Sequence, residues 1–240
     1  MSIFALSDPH LSFGTDKPMS VFGEHWDNHE KRIEAAWKAS VDPADTVILA
    51  GDISWATRFD EALPDLAFLD ALPGRKVLLR GNHDYWWSTV GKMNRQLAGE
   101  GISTLTFLGY EAIRLAPGVW LAGSRGWPHE SESTDWDTDE VIYRRELIRF
   151  ALAFSDARKK MANGDILIAA SHFCPLERSG AATPMSAAVA AAGAAMCLYG
   201  HVHNSARLRM VSKDVVYLNT AADVLDFKPL LIHDGRSLCI

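Results

Sequence analysis

Residues 76–84 read KVLLRGNHD and contain the pattern that decides the fold. The apolar run 77–79 is followed by Arg80 and Gly81, and then by an amide, an imidazole and a carboxylate. Short continuous apolar runs are typical of strands buried on both faces. The segment therefore predicts a buried strand whose carboxyl end carries side chains of the kinds that bind metals.

Four other apolar runs end in the same way: 3–6 before Asp8 and His10, 47–50 before Asp52, 166–170 before His172, and 197–199 before His201 and His203. In α/β proteins, ligands bind outside the carboxyl ends of the strands. We therefore expect the five loops to converge on one crevice. Gly51, Gly81 and Gly200 precede three of the candidate residues and would allow tight turns there.

The ordered set of five loops carries the prediction, because each loop alone has a simpler interpretation. A Gly-Asp pair is usually a turn, and a histidine such as His172 can be a hydrogen-bonded core residue. However, five of the nine histidines fall in these loops. The set as a whole therefore indicates one site.

Two further apolar runs, 119–122 and 215–218, also predict strands, and helical patterns separate several of the runs. Asp27 and Glu30 resemble a capping box that opens a helix with Ile33 and Trp37 on one stripe. A second apolar stripe predicts a helix over 139–161: Tyr143, Leu147, Phe150 and Phe154. The alternation of strands and helices indicates an α/β fold with a mixed sheet. We expect residues 1–240 to form a single domain.

Composition and charge exclude several classes of function. With 24 Lys and Arg against 30 Asp and Glu, the formal net charge is −6, which disfavours binding to a membrane surface or to long nucleic acid. The acidic stretch 129–140 is typical of a solvated loop, and it would repel a polyanion if it overhung the site. Three cysteines suit a reducing compartment, and no apolar run is long enough to cross a membrane. We therefore expect a cytoplasmic protein.

The residue types fit a site for two divalent ions. Asp52 has two carboxylate oxygens and can bridge two ions. Imidazole suits Mn, Fe and Zn, and the amide oxygen of Asn82 adds a donor without charge. Two aspartates and one hydroxide leave such a site net positive, so it would attract a phosphate group. A hydroxide held between the ions is nucleophilic near neutral pH.

The blocks from Asp8-Pro9-His10 to Gly200-His201-Val202-His203 resemble those of the calcineurin-like metallophosphoesterase superfamily, and in particular a bacterial branch of stand-alone predicted phosphohydrolases. The resemblance implies a four-layer αββα sandwich with two mixed sheets. It also implies hydrolysis of a phosphomonoester or phosphodiester by a metal-bridging hydroxide. Two divalent ions, Mn, Fe or Zn with Mg as a further option, would be the cofactors, and a small phosphoester would be the substrate.

The resemblance also implies individual roles. The first ion would be held by Asp8, His10, Asp52 and His203, and the second by Asp52, Asn82, His172 and His201. His83 would be the general acid that protonates the leaving oxygen, and Asp84 would accept its other N–H. The chain departs from the family pattern at Pro9, where the residue is usually apolar and unrestrained. Proline favours an extended backbone at the preceding Asp8.

Arg80 and Arg125 are candidate phosphate-binding residues, because a guanidinium fork matches two phosphate oxygens. A surface ion pair is an equally good interpretation of each. Trp86 and Trp87 could stack on a substrate base, but packing in the core is the simpler interpretation.

Two alternative functions stay open at this stage: a non-catalytic metal-binding scaffold of the same fold, and a nuclease. The filled ligand positions weigh against the scaffold, and the absence of a basic surface weighs against the nuclease. A cysteine phosphatase is excluded, because only three residues separate Cys174 from Arg178. The sequence does not indicate an oligomeric state.

Overall fold

A computed structural model describes residues 1–239. Its eleven strands are β1 (Ile3–Ala5), β2 (Thr46–Ala50), β3 (Arg75–Leu79), β4 (Leu105–Phe107), β5 (Ile113–Ala116), β6 (Val119–Gly123), β7 (Ile166–Ala170), β8 (Met196–Tyr199), β9 (Arg209–Ser212), β10 (Val215–Asn219) and β11 (Leu230–His233). Its five α-helices are α1 (His29–Ser40), α2 (Phe59–Ala71), α3 (Val90–Gly99), α4 (Trp136–Lys160) and α5 (Pro184–Ala191).

The strands form two mixed sheets. The first sheet has the order β11-β1-β2-β3-β4, with β1 to β4 parallel and β11 antiparallel to β1. The second has the order β5-β6-β7-β8-β10-β9, in which the four central strands are parallel and the two edge strands antiparallel. Parallel strands in such folds are buried on both faces, which explains their continuous apolar sequences.

Three apolar layers hold the structure together. The central layer packs one sheet on the other and includes Ile48 and Ile168. A second layer places α1, α2 and α3 on the outer face of the first sheet and includes the fully buried Trp37. The third places α4 and α5 on the outer face of the second sheet, around Phe150 and Phe154. The predicted αββα sandwich is therefore confirmed.

The two sheets meet at the carboxyl ends of their strands. Ser7, which follows β1, donates its amide hydrogen to the carbonyl oxygen of Thr220, which follows β10, over 2.6 Å. The hydroxyl groups of the same two residues are 2.7 Å apart. This link brings the loops after β1, β2 and β3 against the loops after β7 and β8.

Two details of the sequence prediction need correction. Helix α1 begins at His29, after a left-handed Asn28 that makes no side-chain cap, so the capping box from Asp27 to Glu30 is wrong. Four strands were not predicted, and all four lie at sheet edges: β4, β5, β9 and β11. Within residues 1–239, no helix is both long and apolar enough to span a membrane.

Candidate metal centre

The loops at the strand ends bring six of the predicted ligand residues into two groups. We call Asp8, His10 and His203 the first cluster, and Asp52, His172 and His201 the second cluster. Within each cluster, one donor atom from every residue lies within 4.8 Å of the others.

The carboxylate of Asp52 lies between the two clusters. Its Oδ2 atom is 3.9 Å from His10 Nε2 in the first cluster and 3.4 Å from His172 Nε2 in the second. Its Oδ1 atom accepts a hydrogen bond of 2.8 Å from the backbone amide of His83. One oxygen of Asp52 therefore faces donors from both clusters, as a bridging ligand must.

Asn82 joins the second cluster through His172. Its Oδ1 atom is 2.7 Å from His172 Nε2, and the opposite ring nitrogen, Nδ1, is 3.0 Å from the carbonyl oxygen of Ala50. Burial lowers the pKa of His172, but the charges of Asp52 and Asp8 raise it by more, to about 9. A bound cation would replace the proton on Nε2, while the bond from Nδ1 to Ala50 would keep the ring oriented.

In the first cluster, two imidazoles face each other. His10 Nε2 and His203 Nε2 are 3.2 Å apart. His203 Nδ1 donates to Asp223 Oδ1 over 2.8 Å, and Asp223 Oδ2 accepts from the amide of Asn204 over 2.7 Å. A carboxylate on the far nitrogen of a ligating histidine fixes its tautomer and orientation. Sequence reasoning missed Asp223, because no recognisable pattern surrounds it.

Four residues of the clusters adopt left-handed backbone angles. The φ values are +54° at Asp8, +45° at His10, +50° at Asp52 and +66° at His201. The extended backbone expected at Asp8, before Pro9, is therefore wrong. Hydrogen bonds from the Asp8 amide to Gly51 and from the His10 amide to Asp52 hold this conformation. Strained angles of this kind concentrate at functional sites.

The glycines beside the candidate ligands make room for close contacts. A Cβ atom on Gly81 would collide with the carboxylate of Asp52, and one on Gly200 would collide with that of Asp8. Both have φ outside the left-handed region, so packing rather than turn geometry requires glycine there. Gly51 alone of the three has positive φ, at +102°.

The buried charges of the site fit a divalent cation. Burial raises the pKa of Asp8 to about 7 and lowers the pKa of His10 and of His201 to about 3. His10 Nδ1 is buried and has no hydrogen-bond partner among residues 1–239. Two carboxylates, an amide oxygen and four imidazoles that converge in this way form a donor set suited to Mn, Fe or Zn.

His83 lies at the mouth of the site. Its Nε2 atom is 4.0 Å from Asp52 Oδ2, its side chain is 34% exposed, and its ring packs 4.4 Å from that of Trp55. Burial lowers its pKa, partly offset by Asp52. An opening of about 150 Å³ leads past His83 to His10 and His203. His83 can therefore reach both solvent and the candidate metal centre.

The contact predicted between His83 and Asp84 is wrong. Asp84 is fully buried, and its carboxylate accepts hydrogen bonds from the amides of Ile53 and Gly81 at 2.9 and 2.7 Å and from Trp86 Nε1 at 3.1 Å. Since these bonds use both oxygens, Asp84 connects the loops after β2 and β3. It orients the backbone rather than the imidazole of His83.

Arg80 and Arg125 line a different cavity, of about 920 Å³, together with Arg149. We call it the arginine cavity. Arg125 Nη2 is 3.6 Å from Glu146 Oε1, and the carboxylate of Glu146 is fully buried, so this is not a surface ion pair. The neighbouring tryptophans differ in position, because Trp86 packs in the core, whereas Trp87 lines the cavity.

A family model described as calcineurin-like phosphoesterase matches residues 1–205. No curated protein matches the sequence. The fold is similar to that of TT1561 of Thermus thermophilus, with 13% identity, coverage of 96% of this chain and 97% of that chain, and a TM-score of 0.57. It is also similar to that of phosphopantetheinyl hydrolase from Mycobacterium tuberculosis, with 13% identity, coverage of 99% and 98% of the two chains, and a TM-score of 0.55. A protein of unknown function from Aquifex aeolicus has 17% identity, coverage of 96% and 95%, and a TM-score of 0.51. At these identities the likeness concerns the fold alone.

Proposed function

The chain belongs to the calcineurin-like phosphoesterase family, and from this premise we propose that it hydrolyses small phosphomonoesters or phosphodiesters with two divalent ions. The observation that carries the proposal is the position of Asp52 Oδ2, which faces His10 Nε2 at 3.9 Å and His172 Nε2 at 3.4 Å. A two-ion site requires a carboxylate that lies between the ligands of the two ions, as Asp52 does here.

The proposed ligands of the first ion are Asp8, His10, Asp52 and His203, and those of the second are Asp52, Asn82, His172 and His201. When bound, the ions supply a hydroxide nucleophile near neutral pH and neutralise the oxygens of the phosphate. Asp52 then contributes negative charge to both ligand sets. The backbone amide of His83 donates a hydrogen bond to the other oxygen of Asp52, which helps to keep the carboxylate oriented.

His83 is the proposed general acid. Its side chain lines the opening of the site, its Nε2 atom lies 4.0 Å from Asp52 Oδ2, and its backbone amide donates to Asp52 Oδ1. In this position the protonated ring gives its Nε2 proton to the leaving oxygen of the substrate. Trp55 supports the ring from one side and, through its stacking on His10, connects the acid to the first cluster.

We propose that residues 1–240 work as one domain in the cytoplasm. The first cluster takes Asp8 from the loop after β1 and His203 from the loop after β8, so the site needs both sheets. The cysteines Cys174, Cys197 and Cys239 are free, which supports a reducing compartment.

The test is turnover of two substrates after controlled metal loading. Chelated protein is reloaded with Mn²⁺, Fe²⁺, Zn²⁺ or Mg²⁺, and hydrolysis of nitrophenyl phosphate is compared with that of bis-nitrophenyl phosphate. We expect turnover with at least Mn²⁺ and two ions per chain by elemental analysis. Protein that binds two ions but turns over neither ester under any loading would contradict the proposal and favour the scaffold function.

A further inference from the structure

The arginine cavity is separate from the opening that leads to His83. Its walls combine three arginines, Arg80, Arg125 and Arg149, with aromatic side chains. The aromatic residues are Trp87, Phe107 and Tyr110. At about 920 Å³ the cavity is in the size range of sites for whole small molecules.

The cavity shares backbone with the second cluster. Arg80 precedes Gly81-Asn82, and the carbonyl oxygen of Arg125 accepts hydrogen bonds from the amides of His172 and Phe173 at 2.9 and 3.0 Å. Arg80 and Arg125 are therefore attached to the loops that carry Asn82 and His172, two of the proposed metal ligands. Arg80 is two positions from Asn82, so the cavity wall lies next to the second cluster.

The arginines have more donor capacity than the protein satisfies. Nε of Arg80 and Nε of Arg125 are buried without a hydrogen-bond partner among residues 1–239. Glu146 does not line the cavity, but its fully buried carboxylate pairs with both Arg125 and Arg149 from behind the wall. Among the described residues that line the cavity, the one acidic side chain is that of Glu111, which is 86% exposed and lies 3.9 Å from Lys160. The arginine cavity therefore carries a surplus of positive charge, although the protein as a whole has a net charge of −6.

Neighbouring groups hold the guanidinium planes in place. The guanidinium of Arg125 lies 4.4 Å from the ring centre of Trp127, and that of Arg149 lies 5.5 Å from that of Tyr110. Glu146 is itself fixed by the hydroxyl of Ser124. Preorganised arginine forks bind phosphate in a bidentate manner.

We propose that the arginine cavity binds a second phosphate group of the substrate, so that the preferred substrate is a phosphoester with a further phosphate at its other end. The inference rests on the proposed function, because it takes the scissile phosphate to lie at the metal centre. Arg80, Arg125 and Arg149 bind the second phosphate, and Trp87 and Tyr110 pack against the part between the two phosphates.

The kinetic test compares bisphosphates with monophosphates on the full chain loaded with Mn²⁺. The pairs are adenosine 3′,5′-bisphosphate with adenosine 5′-monophosphate, and fructose 1,6-bisphosphate with fructose 6-phosphate. We expect a preference in kcat/KM of about tenfold or more for at least one bisphosphate, the size usual for one strong charge-assisted contact. Arg149→Gln should remove most of this preference, and Arg149→Lys, which keeps the charge without the fork, should keep part of it.

Arg145→Gln is the matched control, because Arg145 lies one turn earlier on α4, is exposed and does not line the cavity. It should keep the full preference. Equal kcat/KM for both members of each pair, or a preference that Arg149→Gln leaves intact, would overturn the inference while the phosphoesterase proposal stands.

A binding measurement separates the two proposals. Calorimetry on the Mn²⁺-loaded His83→Ala variant measures the affinity for each bisphosphate with hydrolysis slowed. We expect Arg149→Gln in this background to weaken bisphosphate binding about tenfold and monophosphate binding less. If binding depends on Arg149 but the wild type never hydrolyses any ester, the cavity binds phosphate and the phosphoesterase proposal fails. No difference between the two ligands would contradict the cavity proposal.

Discussion

The candidate metal centre and the arginine cavity are neighbours built in different ways. Every side chain of the two clusters comes from a loop that directly follows a strand. The cavity takes Arg80 and Arg125 from such loops too, but Arg149, with its buried partner Glu146, comes from the middle of α4. Backbone hydrogen bonds and close packing at glycines hold the metal centre, whereas one buried carboxylate, that of Glu146, orients two arginines of the cavity. Their responses to single substitutions should therefore differ.

The largest expected effect is at Asp52, which joins both clusters. Asp52→Asn removes the charge that faces both proposed ions, and we expect turnover of nitrophenyl phosphate to fall by more than about 1000-fold, as is usual for a group central to the chemistry. Elemental analysis should find fewer than two ions per chain.

Asp45→Asn provides the matched control. Asp45 is also buried, and it precedes β2, whereas Asp52 follows the same strand. Its carboxylate accepts hydrogen bonds from the backbone amides of Ser2 and Asp42, at the opposite end of β2 from the clusters. Folded Asp45→Asn should retain two ions. If Asp52→Asn also retains two ions and normal turnover, the proposed bridge is wrong.

The next effect is at His83, which should contribute to rate and not to metal binding. His83→Ala should lose about 10²- to 10⁴-fold in kcat for an alkyl phosphate, whose leaving oxygen needs a proton. The loss should be smaller for nitrophenyl phosphate, whose leaving group is stable as an anion. Rates for both esters, with metal content measured on the same sample, test this role. Equal loss of metal and rate would show that His83 is a ligand instead.

The sequence predicted the metal centre better than the cavity for a physical reason. A side chain that directly follows a buried strand has little freedom of position, so Asp8, Asp52 and His172 could be placed from order alone. Glu146 lies on a predicted helix, but the apolar stripe does not reveal that a charged residue on it is fully buried. Asp223 was missed because its role depends on a contact with His203, twenty positions earlier.

Burial also explains which strands could be predicted from the sequence. The central strands are continuous apolar runs because both faces are covered. The edge strand β9, by contrast, alternates between exposed and partly covered residues and includes Arg209. Its sequence resembles that of a loop, and only pairing with β10 makes it a strand.

A smaller effect should separate the two clusters from each other. Asp223→Asn removes the carboxylate that accepts the hydrogen bond from His203 Nδ1. The affinity for the first ion should fall about 10- to 100-fold, as is usual when the hydrogen-bond partner of a ligating histidine is replaced. The affinity for the second ion should not change. Mn²⁺ titration followed by calorimetry measures both sites, and Asp223→Glu should recover part of the affinity.

Asp226→Asn serves as the control for that experiment. Asp226 is three residues away, is exposed, and pairs with Arg32 and Lys228 on the surface. It should leave both affinities unchanged. A loss at both sites in Asp223→Asn would mean that the clusters do not respond separately, and the proposed division of ligands would need revision.

The smallest expected effect concerns stability at Glu146. Its carboxylate accepts hydrogen bonds from Ser124 and Arg149 and faces Arg125, and none of it is exposed. Glu146→Gln leaves the two arginines without their counter-charge and should lower the free energy of unfolding by about 2 kcal/mol. Glu140→Gln breaks an exposed pair with Arg144 on the same helix and should change it by less than about 0.5 kcal/mol. Urea unfolding of both variants measures the difference. Glu146 contacts arginines of the cavity and none of the proposed metal ligands, so two ions should remain bound in Glu146→Gln. Loss of metal from the folded variant would show that the structure of the metal centre depends on that of the cavity.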